Sequence, residues 1–195
     1  ICESDPQSGL WSYSDRSKEV VKPGYYATHL LRYNVDVELT TTKRVGFHKY
    51  TFNNPADAAI VFDLQNGGCW DGPTEAYIKR VDEKTIEGYR YSSGWANDQR
   101  VFFVAEFSQP ITSLEVIADQ KSATDTNKGK IVYARANVDA KKDAPVYVKV
   151  ALSPTSIENA KLNMKTELAE WDFEGTIAQA DEAREKALAK SEMES

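Results

Sequence analysis

The sequence predicts a mainly β protein, an antiparallel β-sandwich followed by helices near the carboxyl end. Between Tyr25 and Ala151, short runs rich in β-branched and aromatic residues follow one another. Turn-forming residues separate these runs, and no helical periodicity lies between them. Many short strands joined by turns, without intervening helices, are typical of two packed antiparallel sheets.

The strands can be placed one after another. A turn at Pro23-Gly24, in which glycine takes a positive φ, introduces the first of them. Turn chemistry recurs at Asn53-Asn54-Pro55 and in "QNGG". The predicted strands cover residues 25–31, 34–40, 44–52, 58–64, 76–81, 85–91, 100–107, 113–118, 130–136 and 146–152.

The run "VDVELT" alternates apolar and polar residues with a period of two. This pattern is typical of a strand with one buried and one solvated face. We expect Val35, Val37 and Leu39 to point inward and Asp36 and Glu38 to point outward.

After Pro154 the pattern becomes helical. "TSIENAKLNMKTEL" spaces its apolar residues like a helix face, with Thr155 or Ser156 as the N-cap. "EWDFEG" interrupts it, and the alanine-rich, mixed-charge run "TIAQADEAREKALAKSEMES" predicts a second, solvent-exposed helix. We therefore divide the chain into a sandwich domain, residues 1–152, and a helical linker, residues 153–195.

Composition restricts the classes of function. With 41% hydrophobic and 28% charged residues, the chain matches ordinary globular domains rather than disordered segments. The net charge of −6 offers no electrostatic reason to expect a nucleic-acid partner. No apolar run is long enough to form a transmembrane segment. The opening "ICESDP" lacks an initiator methionine, so we expect a processed or excised piece.

Cysteine and histidine are scarce. Cys2 and Cys69 could pair, but two isolated thiols are the favoured interpretation, and neither has the spacing of a zinc ligand. His29 and His48 both fall in predicted strands, where a structural role is the simpler interpretation. No metal site is predicted.

Carboxylates could in principle act as a catalytic acid and base. No local spacing singles out one pair, and neither a phosphate-binding glycine loop nor a GxSxG nucleophile motif occurs. We therefore predict no catalytic residue in this chain. The pairs considered are Asp36 with Glu38, Asp63 with Asp71, Asp82 with Glu83, and Asp119 with Asp125.

Two loops carry a tryptophan among small polar residues, "GGCWDGPTE" around Trp70 and "SSGWANDQ" around Trp95. An aromatic face can stack on a sugar ring while amides and carboxylates bind the hydroxyl groups. Trp70, Trp95, Asn97 and Asp98 are therefore candidate carbohydrate-binding or domain-docking residues. The alternative is that both tryptophans cap the core at the ends of the sheets.

Four separated phrases of the sequence form a recognisable set: "YSDRSKEVVKPGYYATHL", "VDVELTTTKRVGFHKYTF", "GYRYSSGWANDQRVFFVAEFS" and "VYVKVALSPTSIENAKLNMKTELAEWDF". Together they resemble the N-terminal domain of glycoside hydrolase family 92, and they occur in that family's order. The likeness runs from about Trp11 to the last helix. In the second of these phrases, Arg44 and His48 are interpreted as strand residues that support the sheet.

The resemblance implies part of a calcium-dependent, exo-acting and inverting α-mannosidase. In that family a supersandwich-like β-sandwich precedes a helical linkage and an (α/α)6 catalytic barrel. The barrel holds the catalytic acid, the base and most calcium ligands, so we expect neither hydrolysis nor a cofactor in this chain alone. The sequence departs from the family by stopping where the barrel begins and by lacking the usual glycine- and proline-rich opening. A bacterial periplasmic, outer-surface or secreted location is also implied.

The resemblance favours a non-catalytic domain that braces the barrel and shapes the entrance to its mannose pocket. The loop of Trp95 would be a docking element or part of the pocket wall. The expected partners are that barrel and mannose-containing glycans. An autonomous carbohydrate-binding module is a second hypothesis, and an interaction domain that self-associates through an apolar face is a third.

Overall fold

The structure, a computed structural model, describes residues 10–67 and 70–193. The pairing of Cys2 with Cys69 lies outside these residues. The strands are β1 (Val20–Lys22), β2 (Tyr25–Leu30), β3 (Val35–Thr41), β4 (Val45–Phe52), β5 (Ala59–Asp63), β6 (Gly72–Arg80), β7 (Thr85–Ser93), β8 (Gln99–Phe107), β9 (Ile111–Ala118), β10 (Lys121–Thr124), β11 (Thr126–Gly129), β12 (Val132–Val138) and β13 (Val146–Ser153). Two helices follow, α1 (Ile157–Glu167) and α2 (Phe173–Met193).

The strands form two antiparallel sheets that pack face to face, so the predicted sandwich is confirmed. The large sheet has the order β1-β2-β3-β4-β13-β8-β7-β6-β11, and the small sheet has the order β10-β9-β12-β5. The predicted turn before β2 is also present, because Gly24 has a φ of 76°.

The sequence pattern did not predict three of the described strands: β1, β10 and β11. All three are short, and each lies at the edge of a sheet. Their sequences "VVK", "KSAT" and "TNKG" lack the apolar alternation that marks a half-buried strand. The chain passes from the small to the large sheet between β10 and β11, at Asp125, whose φ is 63°.

The main core lies between the sheets, and a second apolar cluster lies between the large sheet and the helices. The second cluster comprises Val45, Phe47, Val104, Ala151, Ala160, Met164, Leu168 and Phe173. The helices therefore form a third layer over part of the large sheet. Strands β4, β8 and β13 therefore carry buried side chains on both faces of the large sheet.

Local capping explains where the helices begin. Ser156, one of the two predicted N-caps, accepts a hydrogen bond from the Asn159 N–H at 3.1 Å. Asp172 accepts one from the Gly175 N–H at 2.9 Å as α2 starts. Residues 182–189 of α2 are exposed, as predicted for this helix. Within the described residues, neither helix combines the length and the apolar character needed to cross a bilayer.

The connection between α1 and α2, residues 168–172, is called the elbow here. Lys149 of β13 is only 1% exposed, and its Nζ donates to the carbonyls of Leu168 at 3.0 Å and Ala169 at 2.9 Å. The ammonium also lies 4.1 Å from the ring centroid of Trp171. Burial lowers the pKa of Lys149. The elbow is therefore attached to the sheet by a buried cation.

Glu167, at the end of α1, makes a second attachment. Its carboxylate accepts hydrogen bonds from the Thr42 hydroxyl at 2.7 Å and from the Arg44 N–H at 2.9 Å, and it pairs with the Arg44 guanidinium. The interpretation of Arg44 as a strand residue is wrong. It lies in the turn before β4, where both its backbone and its side chain hold α1 in place.

The solvated face predicted for "VDVELT" needs a correction. Val35 and Val37 are buried as expected. Glu38, in contrast, accepts from the Tyr25 hydroxyl at 2.7 Å and pairs with Lys49 at 2.8 Å, with its side chain only 26% exposed. The reason is the third layer, because α2 packs against β3.

Candidate functional site

The four candidate residues lie on two neighbouring loops, called the tryptophan edge here. Trp70 precedes β6, and Trp95, Asn97 and Asp98 lie between β7 and β8. Because Gly72 at the start of β6 pairs with the last residue of β7, the two loops meet at one end of the large sheet. The structure thus brings together all four residues that the sequence singled out.

Both indoles are exposed. Trp95 is 88% exposed and Trp70 is 69% exposed, so the alternative that they cap the core is wrong. The Gly94 N–H donates to the Ala96 carbonyl at 3.0 Å, so Trp95 lies at the centre of a tight turn. Exposed ring faces are available to a ligand or to another protein surface.

Arg90 of β7 holds the loop of Trp70 in place. Its guanidinium donates to the Leu64 carbonyl at 2.9 Å and pairs with Asp71 at 2.6 Å. Hydrogen bonds from Ser92 and Arg90 lower the pKa of Asp71. Asp71 is therefore an ion-pair partner and loop anchor.

A close approach of backbone joins the two loops. A Cβ on Gly94 would lie 2.8 Å from the Asp71 Cα, so glycine lets the second loop pack directly on the first. Between the loops lies an open depression of about 510 Å³, with Arg90 and Arg100 among its walls.

The polar members of the edge are already connected. Asp98 pairs with Arg100 at 2.9 Å, and the Arg100 guanidinium lies 5.0 Å from the ring centroid of Tyr91. Asn97 is exposed. The edge therefore offers two indole faces, one amide and two paired guanidinium groups, which suits sugar hydroxyls or a polar protein surface.

Sequence reasoning missed Arg90 and Arg100. A signal for Arg90 was present in the alternation of "GYRYS". Arg90 lies on the inward face of β7, whereas its neighbours Tyr89 and Tyr91 lie on the outward face. A charged residue at an inward position needs a partner. The partner, Asp71, lies on a different element and could not be assigned from local spacing.

Three further carboxylates of the candidate pairs, Asp63, Asp82 and Asp119, have structural partners. Asp63 accepts from the backbone N–H groups of Gln65 at 2.9 Å and Asn66 at 3.1 Å. Asp119 accepts from the Ile131 N–H at 2.9 Å. Asp82 accepts from the Lys84 N–H at 2.8 Å. These contacts are typical of loop anchors.

Both histidines have the structural environment that was expected. The His29 Nδ1 lies 2.7 Å from Asp36, and the His48 Nδ1 lies 2.8 Å from the Tyr50 hydroxyl. Burial lowers the pKa of His48. Across residues 10–67 and 70–193, no three His, Cys, Asp or Glu side chains are grouped so as to hold a metal ion.

Fold and site together define a β-sandwich domain with an exposed aromatic edge and a helical layer on its large sheet. The chain belongs to the N-terminal domain family of glycosyl hydrolase family 92, whose sequence model matches residues 2–153. No curated protein sequence matches the chain significantly.

Solved structures agree with this assignment. A family GH92 α-mannosidase from Bacteroides thetaiotaomicron is 30% identical with a TM-score of 0.86, over 92% of this chain and 25% of that one. Its complex with mannoimidazole gives 30% identity and a TM-score of 0.85, over 92% and 24% of the two chains. An inverting family GH92 mannosidase from Bacteroides thetaiotaomicron VPI-5482 shares the fold, at 19% identity and a TM-score of 0.76, over 88% and 23%. This chain therefore spans about a quarter of the solved chains.

Proposed function

We propose that this chain is the non-catalytic N-terminal domain of an inverting, calcium-dependent exo-α-mannosidase. In this proposal it braces a catalytic barrel and shapes the entrance to the mannose pocket. The supporting observation is the tryptophan edge: two exposed indoles on joined loops, in a chain that belongs to this family. We call the polypeptide in which the catalytic barrel follows this chain the proposed full-length enzyme.

The proposed division of labour assigns bond cleavage to the barrel. Inversion needs two carboxyl groups roughly 6.5–9.5 Å apart, so that a water molecule fits between them and the sugar. Asp71 and Asp98 are each held by an arginine instead. Calcium would help to orient the sugar in the barrel. The same proposal places the enzyme in the bacterial periplasm, on the outer surface or outside the cell.

The role of this chain is then to position groups rather than to move protons. Arg90 and Asp71 hold the first loop, and Gly94 lets the second loop rest on it. A fixed pair of loops can present Trp95 at a rim without a large ordering cost on binding.

The test is mannose release by the proposed full-length enzyme, with and without Trp95→Ala. We expect kcat/KM on an α-mannobiose to fall about tenfold or more, as for a lost aromatic contact. Leu152→Ala, at another exposed apolar position, is the matched control and should change kcat/KM less than about twofold. Equal kcat/KM for wild type and Trp95→Ala would contradict the role of the tryptophan edge.

An autonomous carbohydrate-binding module is the second candidate, favoured by the same exposed indoles. It predicts that titration of this chain with mannose or α-mannobiose changes the tryptophan fluorescence saturably. The change should disappear in Trp95→Ala. A flat titration would favour the scaffold function.

A further inference from the structure

The outer face of the large sheet carries a row of aromatic rings that the helices leave uncovered. We define the aromatic ladder as Tyr77, Tyr89, Tyr91 and Phe102. These side chains come from β6, β7 and β8, and register places Tyr77 opposite Tyr89 and Tyr89 opposite Phe102. All four are half-buried.

The ladder continues a surface that is already an interface. On the same face, α1 packs on β13 and β8 and reaches β7 through the Lys161–Glu87 ion pair at 2.7 Å. The ladder begins beside this contact and extends across β6. At its other end, Arg100 on the Tyr91 ring connects it to Asp98 and the tryptophan edge.

The rings of the ladder pack against one another. Tyr89 and Tyr91 are nearly parallel, with centroids 4.5 Å apart, and Tyr77 lies 5.4 Å from Tyr89. Arg100 covers Tyr91 at 5.0 Å. Stacking on a sugar needs an open ring face, whereas Tyr89 and Tyr91 stack on each other and Arg100 covers Tyr91. Such a surface suits a protein partner, because tyrosine is enriched in protein–protein interfaces.

Charges of both signs surround the ladder. Glu75 pairs with Lys128 at 2.9 Å on one side, and Asp98 pairs with Arg100 at 2.9 Å on the other. An aromatic centre with a polar, mixed-charge rim is the usual anatomy of a protein–protein interface.

We propose that the aromatic ladder is the surface on which the catalytic domain of the same polypeptide docks. This inference rests on the proposed function and names the docking surface. A large domain is the expected occupant because this chain matches only a quarter of the length of the solved relative, so a much larger body accompanies this domain in that protein. Docking there brings the tryptophan edge to the boundary between the two domains, where ligand sites commonly occur.

The test compares tyrosine nitration in this chain and in the proposed full-length enzyme, with peptide mass spectrometry as the readout. Nitration of Tyr77 and Tyr91 should slow by about tenfold in the full-length enzyme, because an interface centre excludes water. Tyr133, on the outer face of the small sheet, and the exposed Tyr13 serve as references and should change less than about twofold.

A pair of charge reversals sharpens the test. In the full-length enzyme, Arg100→Glu should restore much of the Tyr91 nitration rate, because it breaks the pair with Asp98 and leaves two like charges at the rim of the interface. Arg135→Glu, at an exposed position on the small sheet, is the matched control and should leave that rate unchanged. The same variants in this chain alone supply the baselines.

The outcomes separate the two proposals. Mannose release with unprotected ladder tyrosines would overturn the docking surface and leave the proposed function standing. Protected ladder tyrosines without mannose release would do the reverse. Protection in this chain alone that disappears on dilution would assign the ladder to a second copy. Protection by added α-mannobiose would assign it to a glycan, and either result overturns the inference.

Discussion

The two halves of the large sheet's outer face are built alike and covered differently. On β4, β13 and part of β8, the helical layer buries Phe47, Val104 and even Lys149. On β6 and β7, Tyr77, Tyr89 and Tyr91 remain half-buried. Strand alternation is the same in both halves, so burial on this face depends on what packs against the sheet.

A strand face that carries polar residues is therefore not necessarily exposed to solvent. Lys149 occupies an outward position of the alternating run "VYVKVALS" and yet is 1% exposed. Its ammonium is accommodated because the elbow offers two carbonyls and an indole ring. A comparable cover over the ladder would come from the docked catalytic domain.

Phe47→Ala removes a central side chain from the half of the large sheet that the helices cover. Phe47 is fully buried and contacts Tyr147, Trp171 and Phe173, so its loss should lower the free energy of unfolding by about 3–5 kcal/mol. Phe102→Ala is the matched change in the uncovered half and should cost about half as much. Urea denaturation of this chain measures both, and equal losses would remove the distinction between the halves.

Lys149→Met tests whether the buried cation stabilises the elbow. Two carbonyls lose their donor, so we expect a loss of about 1–2 kcal/mol in the free energy of unfolding. Hydrogen exchange should accelerate at the start of α2 more than in β6. An equally stable Met variant with unchanged exchange would show that apolar packing alone holds the elbow.

Glu167→Gln tests whether the contribution of Glu167 to the free energy of unfolding depends on pH. Burial raises the pKa of Glu167, but hydrogen bonds from Thr42 and Arg44 outweigh it and hold the pKa below 4.5. Since the carboxylate form is favoured in the fold, its contribution is present above pH 4.5 and is lost as the pH falls through the folded-state pKa.

The Gln variant should therefore be less stable by about 1–2 kcal/mol at neutral pH, with the difference shrinking in acid. Glu83→Gln, at an exposed position in the turn before β7, is the control and should change stability little at either pH. Denaturation midpoints across the pH range provide the measurement. A difference that persists unchanged in acid would contradict the assigned ion pair.

Trp95→Ala should have the smallest effect on stability. With its indole 88% exposed, the change in the free energy of unfolding should stay within about 0.5 kcal/mol. Trp171→Ala, in which the indole over Lys149 is removed, should cost about 2 kcal/mol. If Trp95→Ala destabilised this chain as much, the tryptophan edge would be structural rather than a docking or binding surface.

Much of the fold could be predicted because its signals are local. Alternation and turn residues identified the ten longer strands, and Ser156 marked the start of α1. The edge strands β10 and β11 could not be found this way, because their polar sequences become strands only by pairing with β9 and β6. The third layer was missed for a similar reason: nothing local to β3 reports that a helix packs on it.

In the candidate site too, local features could be predicted from the sequence and features that depend on tertiary contacts could not. Trp70 and Trp95 were identified by composition, and their exposure now excludes a core-capping role. The Arg90–Asp71 pair that organises the tryptophan edge joins residues 19 positions apart. It could not be predicted because it depends on how β6 and β7 pair in the sheet. The assignment of Trp70, Trp95, Asn97 and Asp98 to carbohydrate binding or domain docking stays a prediction.

The most direct test of the account is mannose release from a nitrophenyl α-mannoside by this chain and by the proposed full-length enzyme, measured side by side. We expect turnover by the full-length enzyme and none above buffer by residues 1–195. Clear turnover by this chain alone would contradict the assignment of bond cleavage to a separate catalytic domain.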